Sequence, residues 1–217
     1  MVSELKPIGI LGGTFDPVHY GHLTLAAEVA EQLKLAEVRF IPAGTPPHRP
    51  APFASPQARV DMLKLAISGN PQFSVDQREI ARARYTVDTL NELRQEVGAS
   101  RPLCLLLGTD AFAGLATWRR WEELFNLAHV AIALRPGFSL KDLPPVLAAE
   151  FVKRRAPLPR AAVNSPCGGI VVLEITPLDI SASMIREQLA EGASVRDLLP
   201  PAVLDYIRIN HLYTGGG

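Results

Sequence analysis

Between Gly9 and His22 the chain reads GILGGTFDPVHYGH, an apolar run followed by two glycines, a Thr, an Asp and two histidines. Glycines at the end of a strand let backbone N–H groups approach an anion with no Cβ in the way. A helix that follows points its positive end at the same anion. His19 and His22 are three residues apart and share one face if they lie on that helix. The stretch is not a P-loop, because G-x-x-x-x-G-K-[ST] is absent, nor is it the G-x-G-x-x-G dinucleotide turn. The histidines then stand where a P-loop would use lysine. Two other readings stay open: half of a metal site, or capping and packing residues. A metal site needs a third and usually a fourth ligand, and His48, His129 and His211, the remaining histidines, offer no suitable spacing. Phosphate-facing imidazoles rank first, packing second, and no metal ligands are assigned. Asp16 stands evenly between contacting a ligand and bracing the turn.

Such a turn needs a strand before it and a helix after it, and the chain repeats that alternation. IGIL (8–11), VRFIPA (38–43), FSVD (73–76), LCLLLG (103–108), VAIAL (130–134) and IVVLEIT (170–176) read as strands. Several are apolar throughout, as expected of strands covered on both faces. Helical patterns lie at His22–Lys34, Pro56–Ser68, Thr86–Val97, Trp121–Leu127 and Pro144–Lys153. Ser55 before Pro56 reads as an N-cap and a first-turn proline. SASMIREQLAEG, stopped by Gly192, and PAVLDYIRIN read as two last helices. The alternation predicts an α/β fold, a doubly wound parallel sheet with right-handed crossovers and a C-terminal helical portion, over residues 1–217 as one domain. Two Pro-rich stretches, 43–56 and 154–169, read as loops, the second as plain surface.

Lys plus Arg and Asp plus Glu both number 22, so the net charge is zero. That argues against nucleic acid as a partner, because such binding draws on many Lys/Arg–phosphate contacts. Cys104 sits inside an apolar strand, and with Cys167 it makes no metal or disulfide pattern. No signal pattern or membrane-spanning run is present, so no membrane partner is expected and the expected compartment is the cytoplasm.

The segment His19-Tyr20-Gly21-His22 resembles the (T/H)-x-G-H signature of the nucleotidylyltransferase superfamily. The longer GGTFDPVHYGHL resembles nicotinate mononucleotide adenylyltransferases of the bacterial type. PAGTPPHR (42–49), YTVDTL (85–90), LLGTDAF (106–112), TWRRWEEL (117–124), LRPG (134–137) and DISASMIR (179–186) follow in that family's order. The resemblance implies a Rossmann-like nucleotidylyltransferase fold. It also implies adenylyl transfer from ATP to nicotinate mononucleotide, giving nicotinate adenine dinucleotide and pyrophosphate by direct in-line attack. Mg2+, held mainly by the nucleotide phosphates, is the implied cofactor.

Roles follow residue by residue. His19, His22 and Arg186 are expected to neutralise charge on the ATP phosphates. Gly12, Gly13, Thr14 and Phe15 form the turn, with amides toward the nucleotides. Ser181 and Ser183 beside a helix N-terminus, with Arg186 one turn inside, make a second anion site. The family more often carries consecutive serines here, and Ala182 replaces one of them. The resemblance brings His48 and Arg49 of PPHR to the phosphates; a solvated surface pair is the alternative. Asp110 suits a ribose or nucleotide hydroxyl. For the mononucleotide, Trp118 suits stacking on the pyridine ring, and the resemblance places amides near Thr86 and Trp118 on the nicotinate carboxylate. Arg135 suits a ligand anion, with a salt bridge as its alternative. Trp121, at helical spacing from Leu124, reads as packing.

Overall fold

The structure, a computed structural model, describes residues 5–44, 51–82, 84–134, 143–156 and 165–214. Its elements run β1 (Ile8–Gly13), α1 (Tyr20–Leu33), β2 (Glu37–Pro42), α2 (Pro56–Ile67), β3 (Phe73–Val75), α3 (Thr86–Val97), β4 (Leu103–Gly108) and α4 (Thr109–Ala113). They continue with β5 (His129–Leu134), α5 (Pro145–Arg154), β6 (Ile170–Glu174), α6 (Ala182–Ala190) and α7 (Pro201–Ile209). The six strands form one parallel sheet in the order β3-β2-β1-β4-β5-β6. The sequence order reverses at β1, and folds of this kind bind ligands beyond the carboxyl ends of strands at such a switch. The doubly wound α/β reading is correct.

Contacts gather the chain into two compact units. The first comprises residues 1–11, 25–39 and 85–177. Its centre is β4, whose Leu103 to Leu107 are all buried, and β5, buried from His129 to Ala133. Each such Leu or Ile removed from water contributes about 1.5–3 kcal/mol. Cys104 pairs in register with His129, and Val130 with Ile170. Burial pushes the Cys104 thiol up to about 12, so it behaves as an apolar side chain. His129 is fully buried but satisfied: its Nδ1 accepts from the Gly169 N–H at 3.0 Å, and its Nε2 lies 2.7 Å from the Ser165 carbonyl. That tautomer is neutral, and desolvation by burial holds the imidazole below its ordinary pKa. Arg94 donates to the carbonyls of Arg101, Leu127 and Pro166, fastening the loops before β4, β5 and β6.

The second unit comprises residues 12–24, 40–84 and 178–217. Ser55 caps α2 as expected, its Oγ accepting from the Ala58 N–H at 3.2 Å; such a cap is worth about 1 kcal/mol. α2 packs on β3 and α7, and the Tyr206 hydroxyl donates to Asp61 at 3.2 Å. Phe40 sits between the rings of Phe15 and Phe73, at 5.8 and 5.3 Å.

Three local readings change. The stretch from Trp121 is a 3-10 helix, Trp121–Asn126, entered from Arg120 in the left-handed region at φ 53°. α4 and the 3-10 turn Leu115–Thr117 were not read from the sequence. Helix α1 starts at Tyr20, two residues before the expected position. Residues 157–164 of the loop expected at 154–169 lie outside the described residues.

Candidate active site

The carboxyl end of β1 leads into the turn Gly12–Asp16, and this turn folds differently from the glycine-led expectation. The left-handed backbone falls on Phe15, at φ 51°, rather than on either glycine. A non-glycine residue held there costs about 1–3 kcal/mol unless its surroundings fix it. The surroundings are the buried Phe15 ring, which meets His22 edge-on at 4.9 Å. The ring also explains Gly13, where a Cβ would stand 3.0–3.3 Å from three of its carbons. Phe15 thus sets the turn, and Gly13 makes room for it.

The histidines are brought together, though not on one helical face. His19 is the residue just before α1, and its carbonyl accepts from the His22 N–H at 2.9 Å. The His22 side chain reaches back, its Nδ1 accepting from the His19 N–H at 3.4 Å. This is the returning half of a capping box, with an imidazole in place of the usual Glu or Gln. The two rings lie 3.8 Å apart at 34°. His19 is buried and His22 half-buried. Gly21 permits the stack, since a Cβ there would come within 3.0 Å of the His19 Cε1 and Nδ1. The capping alternative is therefore realised together with the clustering of the two rings.

Asp16 braces the turn. Its carboxylate is 4 % exposed and accepts from the Phe53 N–H at 2.7 Å, the Ala54 N–H at 3.0 Å and the Tyr213 hydroxyl at 2.6 Å. Burial first, and then the bond to Asp16, push the Tyr213 phenol far up, so it remains a donor at any working pH. The Asp16 carbonyl accepts from Arg186 Nη1 at 2.7 Å. Behind the turn, Arg59 of α2 is fully buried, and its Nη1 donates to the Thr14 carbonyl at 2.7 Å. Among the described residues its Nε and Nη2 have no hydrogen-bond partner. Burial lowers the guanidinium's pKa, and the Asp16 carboxylate opposes that.

Helix α6, in the same unit, carries the candidates of the second expected anion site. Ser181 caps it, accepting from the Met184 N–H at 3.2 Å, so that hydroxyl oxygen is engaged in the cap. Arg186 Nη2 donates to Ser183 Oγ at 3.3 Å, and the guanidinium lies 4.5 Å over the exposed Phe53 ring. Phe53, Arg59 and Tyr213 were not picked out from the sequence. Only Arg59 carried a signal: it falls in phase with Met62 and Leu63, on the buried side of α2.

Thr86, Trp118 and Asp110 belong to the first unit. Thr86 opens α3, which no side chain caps; the Asp88 N–H donates to the Tyr85 carbonyl at 2.9 Å, and the first two N–H groups, of Thr86 and Val87, are the ones left for water or a ligand. Trp118 is half-buried and follows the 3-10 turn at Leu115–Thr117. The two stretches are tied together: Arg119 lies 4.7 Å over the Tyr85 ring, and Arg120 donates to Asp88 at 3.3 Å. Trp121 packs edge-on against Phe125 at 6.2 Å, as expected. Asp110 is exposed in the first turn of α4, two residues past the end of β4. His48, Arg49 and Arg135 lie outside the described residues. No helix among the described residues is long and apolar enough to cross a membrane.

Comparison with known proteins places the chain in a family and supports the fold. The Cytidylyltransferase-like family model matches residues 10–188. A protein of Dechloromonas aromatica named probable nicotinate-nucleotide adenylyltransferase is 51% identical over 212 residues, covering 96% of this chain and 98% of the relative. One of the same name from Laribacter hongkongensis is 50% identical over 209 residues, covering 95% and 94%. Among solved structures, the Plasmodium falciparum nicotinic acid mononucleotide adenylyltransferase complexed with NaAD superposes with a TM-score of 0.73 at 19% identity, covering 96% of this chain and 97% of that one. At that identity the likeness speaks for the fold alone. From the signature His19-Tyr20-Gly21-His22 to the near-full-length relatives, the chain belongs to the Cytidylyltransferase-like family, in the group of the nicotinate-nucleotide adenylyltransferases.

Proposed function

We propose that this chain transfers the adenylyl group of ATP to nicotinate mononucleotide. A phosphate oxygen of the mononucleotide attacks the α-phosphorus, and the bond from that phosphorus to the oxygen bridging to the β-phosphate breaks. Nicotinate adenine dinucleotide and pyrophosphate leave. The nucleophile is already an anion, so the chain needs no general base, and the work left to it is positioning and charge neutralisation. The observation that carries this reading is the second unit's cluster, where stacked His19 and His22, the β1 turn and Arg186 are built onto one another.

In this reading His22 is the central donor. Its Nδ1 is turned to the His19 N–H, which puts the proton on Nε2 for a phosphate oxygen. His19, Arg186 and the amides of Gly12, Gly13, Thr14 and Phe15 complete the neutralisation, with Ser181 and Ser183 beside them. We assign His48, Arg49 and Asp110 to ATP by resemblance. Thr86, Trp118 and Arg135 are assigned to the mononucleotide, the uncapped α3 supplying donors for the nicotinate carboxylate. Among the described residues no three His, Cys, Asp or Glu side chains form a metal-binding cluster, so the reading has Mg2+ held by the nucleotide phosphates. When bound there, it supplies further neutralisation of phosphate charge. We place the enzyme in the cytoplasm, where the free thiols Cys104 and Cys167 stay reduced.

The test is pyrophosphate release from ATP plus nicotinate mononucleotide, by wild type and by His22→Ala. Removing one preorganised donor costs about 10²–10³ in kcat. Wild-type turnover in a folded His22→Ala protein refutes the assignment.

A further inference from the structure

Arg186 is held by three groups: Ser183 on its own helix, the Asp16 carbonyl at 2.7 Å and the Phe53 ring at 4.5 Å. The last two share one support. Phe53 is 76% exposed, so packing does not hold its ring in place. What holds its backbone is the Asp16 carboxylate, which accepts the N–H groups of Phe53 and Ala54. The carbonyl under Arg186 belongs to that same aspartate.

The third donor on the carboxylate is the Tyr213 hydroxyl, bound to the oxygen that also takes Ala54. It comes from a residue at φ 59°, beyond the end of α7. Nearby, buried Arg59 has two nitrogens with no partner among the described residues, an alternative seat for a carboxylate that is free to turn. Turning toward it withdraws an oxygen from the Phe53 N–H.

We infer that Tyr213 is a positioning residue. By donating to the Asp16 carboxylate it stops that rotation, and so fixes the seat from which Arg186 meets the ATP phosphates. The inference rests on the proposed role of Arg186, and its effect falls on ATP rather than on the mononucleotide.

The experiment is a double-mutant cycle. Tyr213→Phe, which keeps the ring, is made in wild type and in Arg186→Ala, and kcat, both KM values and Tm are measured. In wild type, Tyr213→Phe is expected to raise the ATP KM about fivefold to tenfold, the scale of one ordinary hydrogen bond. The mononucleotide KM should stay within about twofold of wild type, the precision at which sites that do not interact behave independently. In Arg186→Ala the same change should add nothing. Phe53→Leu, which keeps the N–H but loses the ring, should give an ATP-selective rise of about twofold to fivefold. An unchanged ATP KM in Tyr213→Phe, equal rises in both backgrounds, or parallel rises for both substrates overturns the inference. If Arg186→Ala itself leaves the ATP KM unaltered, the assigned role of Arg186 fails, and that single variant shows it separately.

Discussion

Asp16 and Arg59 lie behind the turn as neighbouring buried charges of opposite sign, and truncating one should not cost the same as truncating the other. Asp16→Asn keeps the shape. Its oxygen can remain where Ala54 and Tyr213 donate, but its NH₂ then faces the Phe53 N–H across 2.7 Å, donor against donor. A buried hydrogen bond left unmade costs about 1–3 kcal/mol, and Arg59 also loses the carboxylate that offsets its burial. Removing one partner of a buried charge pair costs about 3–5 kcal/mol in all. Arg59→Met is milder. The carboxylate keeps its three donors, and the two partnerless N–H groups disappear, each an existing penalty of about 1–3 kcal/mol. Set against that is the bond to the Thr14 carbonyl, worth about 1.5–3 kcal/mol from a charged donor. Asp16→Asn should therefore be the less stable variant by at least about 2 kcal/mol, or ~4–8 °C in Tm for a chain of this size. Urea unfolding of both variants, with slopes checked for equality, measures the difference. If Arg59→Met is as destabilising as Asp16→Asn, the partnerless donors carry no penalty and this accounting is wrong.

Other expectations follow from single contacts. Gly21→Ala should lower kcat about tenfold while Tm holds or rises, because Ala favours the helix by about 0.5–1 kcal/mol yet its Cβ presses on the His19 ring; equal losses in both would refute the separation. His129 is held below its ordinary value of 6.5, so the unfolded chain binds the extra proton first and stability should fall as pH drops below about 6.5. His129→Gln should flatten that slope in urea midpoints taken between pH 7.5 and 5.5. The N–H donors at α3 match a carboxylate better than an amide, so kcat/KM should favour nicotinate over nicotinamide mononucleotide by about tenfold, one mismatched donor pair. Trp118→Ala should weaken both substrates and leave that ratio standing.

Strands with a continuous apolar run were legible because burial on both faces leaves no other composition; LCLLLG was placed to the residue. The order of those strands was not, since pairing across a sheet is set by crossovers that no local pattern records. α4 is five residues long, too short for a helical period to show. Within the site, residue types told what the histidines and Arg186 are suited for. They did not decide Asp16, because two of its carboxylate partners are backbone N–H groups, which every sequence contains. The left-handed Phe15 was hidden for a similar reason. The glycines beside it are the usual sign of unusual backbone, but here a buried aromatic ring holds the strain.

The donors that converge on the Asp16 carboxylate lie 37, 38 and 197 residues further along the chain. A ribosome adds about 5–20 residues per second, so at the 197-residue separation roughly 10–40 seconds pass between the aspartate and its phenol. During that interval the nascent chain already carries GGTFDPVHYGH, yet its carboxylate has an open position beside a buried cation. The segment that looks most like an enzyme waits for a phenol made 197 residues later.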